Sequence, residues 1–142
     1  MPTRIQGEFE VALTNQDPSE AAEDAGVHRR SFDKRYRGEL DAVGRGEMLA
    51  VHGDVKGSAG YVAMERVTGT LAGRSGSFAI QHHGIMDRGA ASLSITVVPD
   101  SGVGELAGIT GRMGITIEDG KHFYDFEYEF LDASREDDPR FI

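Results

Sequence analysis

Four polar side chains in this chain occupy places where an alternating pattern calls for apolar ones. Lys34 lies between Phe32 and Tyr36, Glu47 precedes Leu49 and Val51, Glu65 lies between Ala63 and Val67, and His82 follows Phe78 and Ile80. If these positions face inward, the four groups line one pocket. A hairpin symmetric about Lys56 sets Glu47 opposite Glu65. Two carboxylates in a poorly solvated site cannot both ionise cheaply, so one keeps its proton at neutral pH, as general acid-base work requires. The chemistry expected of Glu47 with Glu65 is an aspartic-type activation of water on a peptide or ester, with His82 as a further catalytic candidate.

The opposing reading pairs the two glutamates with Lys34, Arg45 or Arg66, or turns them to solvent. Register decides between the two. Leu40 and the run Glu47, Leu49 and Val51 differ in parity. If residues 31–52 form one unbroken strand, Glu47 shares a solvated face with Asp33, Arg35, Arg37 and Asp41. A bulge at Gly44 or Gly46 would return it to the interior, since glycine within a strand often marks one.

Other catalytic and binding signatures are missing. Neighbouring residues on a strand point to opposite faces, so His82 and His83 cannot grip one ion, and His28, His52 and His122 lack a metal-ligand spacing. No metal is expected. Gly44-Arg45-Gly46 and Gly102-Val103-Gly104 lack the helix and the Lys-Ser or Lys-Thr ending of a phosphate loop, so no nucleotide cofactor is indicated. Gly73-Arg74-Ser75-Gly76-Ser77 reads as a turn rather than a nucleophile elbow. If the interior instead holds a small apolar molecule, the contacts expected are Lys34, Tyr36, Tyr61, Tyr124 and Phe126.

The elements that position these residues are strands. Ile5, Gly7, Phe9, Val11 and Leu13 alternate with polar residues, as on a strand with one buried face. Residues 14–30 read as a loop with one helical turn at Ser19 to Glu23. Further strands follow at Phe32 to Leu40, Glu47 to Val51, Tyr61 to Leu71, Ser77 to Met86, Leu93 to Val97, Gly111 to Glu118 and Lys121 to Leu131. Asp119-Gly120 marks a tight hairpin. His122, Tyr124, Phe126, Tyr128 and Phe130 share one face of the last strand. Short strands, turn residues between them and little helical periodicity predict an all-β fold, a single closed antiparallel barrel of about eight strands. Its first and last strands pair to remove both edges.

At 142 residues the chain suits one domain, with the barrel over residues 1–131 and a charged, flexible tail over 132–142. With 24 acidic against 15 basic side chains, the net charge of −9 disfavours nucleic acid and anionic membranes as partners. No cysteine is present and no apolar stretch forms a signal or membrane span, which points to the cytoplasm. A homo-oligomer is compatible with the pattern.

Three stretches resemble the bacterial family known as domain of unknown function 3224: residues 57–71, from Gly57-Ser58-Ala59-Gly60-Tyr61 to Thr70-Leu71, residues 73–84, from Gly73-Arg74 to His82-His83-Gly84, and residues 119–128, from Asp119-Gly120-Lys121 to Glu127-Tyr128. The resemblance covers roughly Gly7 to Leu131. It implies a barrel like that of allene oxide cyclases and dirigent proteins, and Gly102 to Gly108 resembles a glycine-rich turn of such barrels. It supplies a ligand-holding interior as precedent and no catalytic residue. The function expected first is therefore binding of a small, partly apolar ligand. A carboxylate hydrolase is the second reading, favoured over a cyclase or isomerase if the protein is an enzyme, and a structural, self-associating barrel is the third.

Overall fold

The structure, a computed structural model, describes residues 1–131. The tail expected over 132–142 lies outside the described residues. The chain runs through β1 (Thr3–Gln16), a short helix α1 (Glu20–Asp24), β2 (His28–Tyr36), β3 (Leu40–His52), β4 (Ala59–Leu71) and β5 (Arg74–Asp87). It continues through β6 (Ala90–Val97), the two-residue β7 (Val103–Gly104), β8 (Ile109–Glu118) and β9 (Lys121–Phe130). Every pairing is antiparallel. Starting from β1, pairing runs through β2, β3, β4, β5, β6, β8 and β9 and back to β1, which closes an eight-stranded barrel with β7 as an extra strand on β5. The first strand meets the last over Thr3↔Tyr128 to Phe9↔His122, so neither leaves an edge there.

Turn chemistry fixes the registers. Glu118 pairs with Lys121 around Asp119 (φ 50°) and Gly120 (φ 78°), the two left-handed residues that a tight hairpin matched to strand twist requires. The β4–β5 hairpin has the same form: Leu71 pairs with Arg74, so the turn is Ala72-Gly73 and the strand starts earlier than expected. The segment 14–30 is also more ordered than the sequence suggests. β1 extends to Gln16, and α1 is capped by Ser19, whose hydroxyl accepts from the Ala22 amide at 3.2 Å.

The β3–β4 hairpin corrects the expected register. Its ladder runs without interruption from Leu40↔Leu71 to His52↔Ala59, and places Gly46, not Glu47, opposite Glu65. The connecting segment has an even number of residues, so symmetry falls between Val55 and Lys56 rather than on Lys56. No bulge interrupts β3 at Gly44 or Gly46. One parity therefore holds throughout: Leu40, Ala42, Gly44, Gly46, Met48 and Ala50 face inward, while Glu47, Leu49 and Val51 face out. Exposed apolar residues on the outer wall, Leu49 at 44% and Val51 at 47%, mimic a buried face.

The core fills one end of the barrel. Leu40, Leu71, Phe78, Leu106, Ile109, Tyr124 and Phe126 are almost wholly buried there. Leu106 arrives on the segment after β7, which folds across that end, and a Cβ at Gly102 would fall on the Leu106 carbonyl oxygen. At the other end no comparable plug is present among the described residues. β6 and β8 pair at only two positions, Ile95↔Met113 and Thr96↔Arg112, so the wall between Ala90–Ser94 and Gly114–Glu118 is unzipped toward that open end.

Candidate functional site

Three strands bring a polar cluster into the barrel's middle. Lys34 and Tyr36 project inward from β2, Glu65 from β4 and His82 from β5. Glu65 Oε1 accepts from Lys34 Nζ at 2.9 Å and meets His82 Nε2 at 2.9 Å, while Glu65 Oε2 accepts from the Tyr36 hydroxyl at 2.5 Å. The side chains of Lys34, Glu65 and His82 are 7%, 0% and 4% exposed, so this network is dry. The Lys34 ammonium also lies 5.1, 5.2 and 5.7 Å from the ring centres of Phe9, Phe32 and Tyr36, within reach of cation–π attraction.

Room for the cluster comes from β3, which contributes glycine where its neighbours contribute side chains. A Cβ at Gly44 would fall on Glu65 Oε2, and one at Gly46 on the Met64 carbonyl oxygen beside the Phe32 ring. These glycines are close-approach positions rather than bulges.

Electrostatics set the protonation state. Burial alone would push the Glu65 carboxyl up; the His82 hydrogen bond, the Lys34 charge and the Tyr36 and Lys34 hydrogen bonds outweigh burial and hold it below its ordinary value. An ionised carboxylate can only accept, so His82 Nε2 carries a proton and donates. The other ring nitrogen, Nδ1, has no hydrogen-bond partner among the described residues. Burial, followed by the Glu65 charge and the hydrogen bond to it, pushes the Tyr36 hydroxyl well above the ordinary phenol range and keeps it a donor.

Glu47 lies elsewhere. Its carboxylate is on the outer wall, 51% exposed, where it accepts from Arg29 Nε at 2.5 Å. Arg45 with Asp33 and Arg35 with Asp41 extend the same solvated stripe over β2 and β3. The expected pair of carboxylates is therefore not formed: the wall of the barrel separates Glu47 from Glu65. Glu65 is held ionised by three donors and is no poised acid, so a shared-proton activation of water has no basis in this geometry.

The open end holds a cavity of about 860 Å³. Its walls include Met48 and Ala50 of β3, Tyr61 of β4, Gly84 and Met86 of β5, Leu93 of β6 and Ile117 of β8. Tyr61 lies over Gly84, where a Cβ would collide with its ring. One inward residue further along their strands come Phe32, Ala63 and His82, all buried and deeper in the barrel than the cavity lining. Of the expected ligand contacts, Tyr61 lines this cavity. Lys34 and Tyr36 lie deeper in the barrel and do not line it. Tyr124 and Phe126 belong to the packed end: the Tyr124 hydroxyl donates to the Arg37 carbonyl at 2.8 Å, and Phe126 stacks on Phe78 with ring centres 5.7 Å apart.

Sequence reasoning missed the rim. Asn15, His28, Arg30 and His52 all border the cavity. The signal was the alternation of Phe32, Lys34 and Tyr36, which runs back through Arg30 to His28 once the strand is allowed to start there.

The match to known proteins agrees with this fold. The model of the family described as "Protein of unknown function (DUF3224)" matches residues 5–128. The chain belongs to the DUF3224 family. A crystal structure of a protein with unknown function from the same family, from Shewanella oneidensis MR-1, is 49% identical. The alignment covers 94% of this chain and 100% of that one, with a TM-score of 0.87. No curated protein matches the chain. Among the described residues, no group of three or more His, Cys, Asp or Glu side chains is placed to hold a metal, and no helix is long and apolar enough to cross a membrane.

Proposed function

We propose that this DUF3224 barrel is a cytoplasmic binding protein that takes up a small, largely apolar molecule through its open end. One observation carries the reading: the cavity at the open end, lined by Met48, Tyr61, Met86 and Leu93. Its volume of about 860 Å³ falls within the roughly 300–1,000 Å³ of ligand sites. Its lining has the composition of such sites, mostly apolar with a few convergent polar groups. The unzipped wall between β6 and β8 gives a bulky ligand a sideways entrance beside Leu93 and Ile117, both exposed. The buried network holds β2, β4 and β5, which contribute to the cavity wall, because every hydrogen bond to Glu65 ties one strand to another.

A neutral fluorescent probe, N-phenyl-1-naphthylamine, tests the assignment. It should bind the wild-type protein saturably with one site. Ala50→Trp, which puts an indole into the cavity from β3, should weaken binding by about tenfold or more without lowering the melting temperature appreciably. Absence of saturable binding to the wild type would overturn the reading, and so would undiminished binding to a folded Ala50→Trp variant.

A further inference from the structure

The charged groups around the cavity are sorted by sign. Among the described residues no acidic side chain lines the cavity, whereas Arg29, Arg30, His28 and His52 do. Arg29 is already committed, to the Glu47 carboxylate and to the Asp17 carbonyl at 3.1 Å. Arg30 is not. It projects from the inward face of β2, and its one side-chain hydrogen bond among the described residues runs from Nε to the neutral Asn15 Oδ1 at 2.9 Å. Arg35, Arg37 and Arg45, neighbours on β2, β3 and the turn between them, each pair with a carboxylate on the outer wall. Arg30 has no carboxylate within 4 Å among the described residues. The amide of Asn15 holds the plane of the guanidinium through Nε and leaves both terminal nitrogens unbonded. That is the fork a carboxylate or similar anion fills. His28 and His52, with ring centres 5.4 Å apart, stand on the same rim.

We infer that the occupant of the cavity is a small amphipathic anion: an apolar body against Met48, Tyr61, Met86 and Leu93, and one negatively charged group held at the rim by Arg30. The inference rests on the proposed binding function and adds the chemical class of the ligand. It also accounts for a cavity with no acidic lining among the described residues of a chain of net charge −9, since a carboxylate on the rim would repel such a ligand or occupy Arg30 itself.

Calorimetric titration of the whole protein with octanoate, octanesulfonate, 1-octanol and octyltrimethylammonium, at one fixed ionic strength, separates the two claims. The two anions should bind about tenfold tighter than the alcohol, and the cation most weakly. Arg30→Gln should bring the anions to within about twofold of the alcohol measured on the same variant. Asn15→Asp, which places a carboxylate against the guanidinium without disturbing the fold, should do the same. If the alcohol binds the wild type as well as the anions do, or if both variants keep the anion preference, the ligand class is wrong and the cavity assignment stands. If none of the four compounds binds, both are wrong.

Discussion

Glu65→Gln should destabilise the barrel by about 3–5 kcal/mol, which is the usual result of removing one partner from a buried ion pair and leaving the other charge uncompensated. The side chain keeps its shape and can still bond to Tyr36 and His82. What is lost is the countercharge for Lys34, whose side chain is 7% exposed and whose ammonium lies among three aromatic rings. The double variant Lys34→Met with Glu65→Gln should recover much of that loss, because no charge then remains buried. Glu47→Gln, which breaks the exposed pair with Arg29, should change stability by no more than about 0.5 kcal/mol. Urea unfolding midpoints at constant m-value measure all of these. A Glu65→Gln midpoint close to that of Glu47→Gln would show that the network carries no such energy.

The same variant has a signature in acid. The Glu65 carboxyl lies below its ordinary value in the fold, so the unfolded chain takes up that proton more readily than the folded one. The stability this contributes is complete above the ordinary carboxyl range and is lost as pH falls through the folded value. Wild-type stability should therefore decline more steeply below about pH 4.5 than that of Glu65→Gln, whose position 65 does not titrate.

Gly46→Ala should cost about 3 kcal/mol, at the upper end of what one added methyl does in a packed core. The new Cβ meets the Met64 carbonyl oxygen and the Glu65 Cα, which are backbone atoms of β4 and can yield only if the two strands part. Gly44→Ala meets the end of the Glu65 side chain instead, and should cost about 1–3 kcal/mol by pushing the carboxylate off its donors. Thermal unfolding of the two variants checks the order. Wild-type melting temperatures for both would mean that β3 does not approach β4 and Glu65 as closely as described.

The barrel itself was legible because its cues are local. Alternation in β1 and β9, the Asp119-Gly120 turn and the regular spacing of strands all follow from φ/ψ preference and one-sided burial. The partners of Glu65 were half legible. Lys34 and His82 stood out as polar residues on apolar faces, and the structure brings both to Glu65. Glu47 misled because a single residue of register turns every side chain over. The register rested on symmetry about Lys56, which lies half a residue off the true centre, and apolar Leu49 and Val51, which suggested an inward face for Glu47, belong to an outer wall that exposes them. Gly44 and Gly46 were recognised as unusual and given the wrong cause: they make room rather than bulge. A ligand-holding interior was expected and Tyr61 named for it, but which end of the barrel stays open could not be read, since it depends on where the segment around Leu106 packs, a long-range fact with no local signal.

On the proposed function, the open end of this barrel, and no other surface, holds a small apolar ligand. Methyl-labelled protein titrated with 1-octanol and followed by NMR tests it residue by residue. Saturable shifts and ligand contacts should appear at Met48, Met86 and Leu93, with Leu40, Leu71 and Leu106 at the packed end unmoved. Shifts confined to Leu49, Val62 and Met64 on the outer wall, or no saturable shifts anywhere, would contradict it.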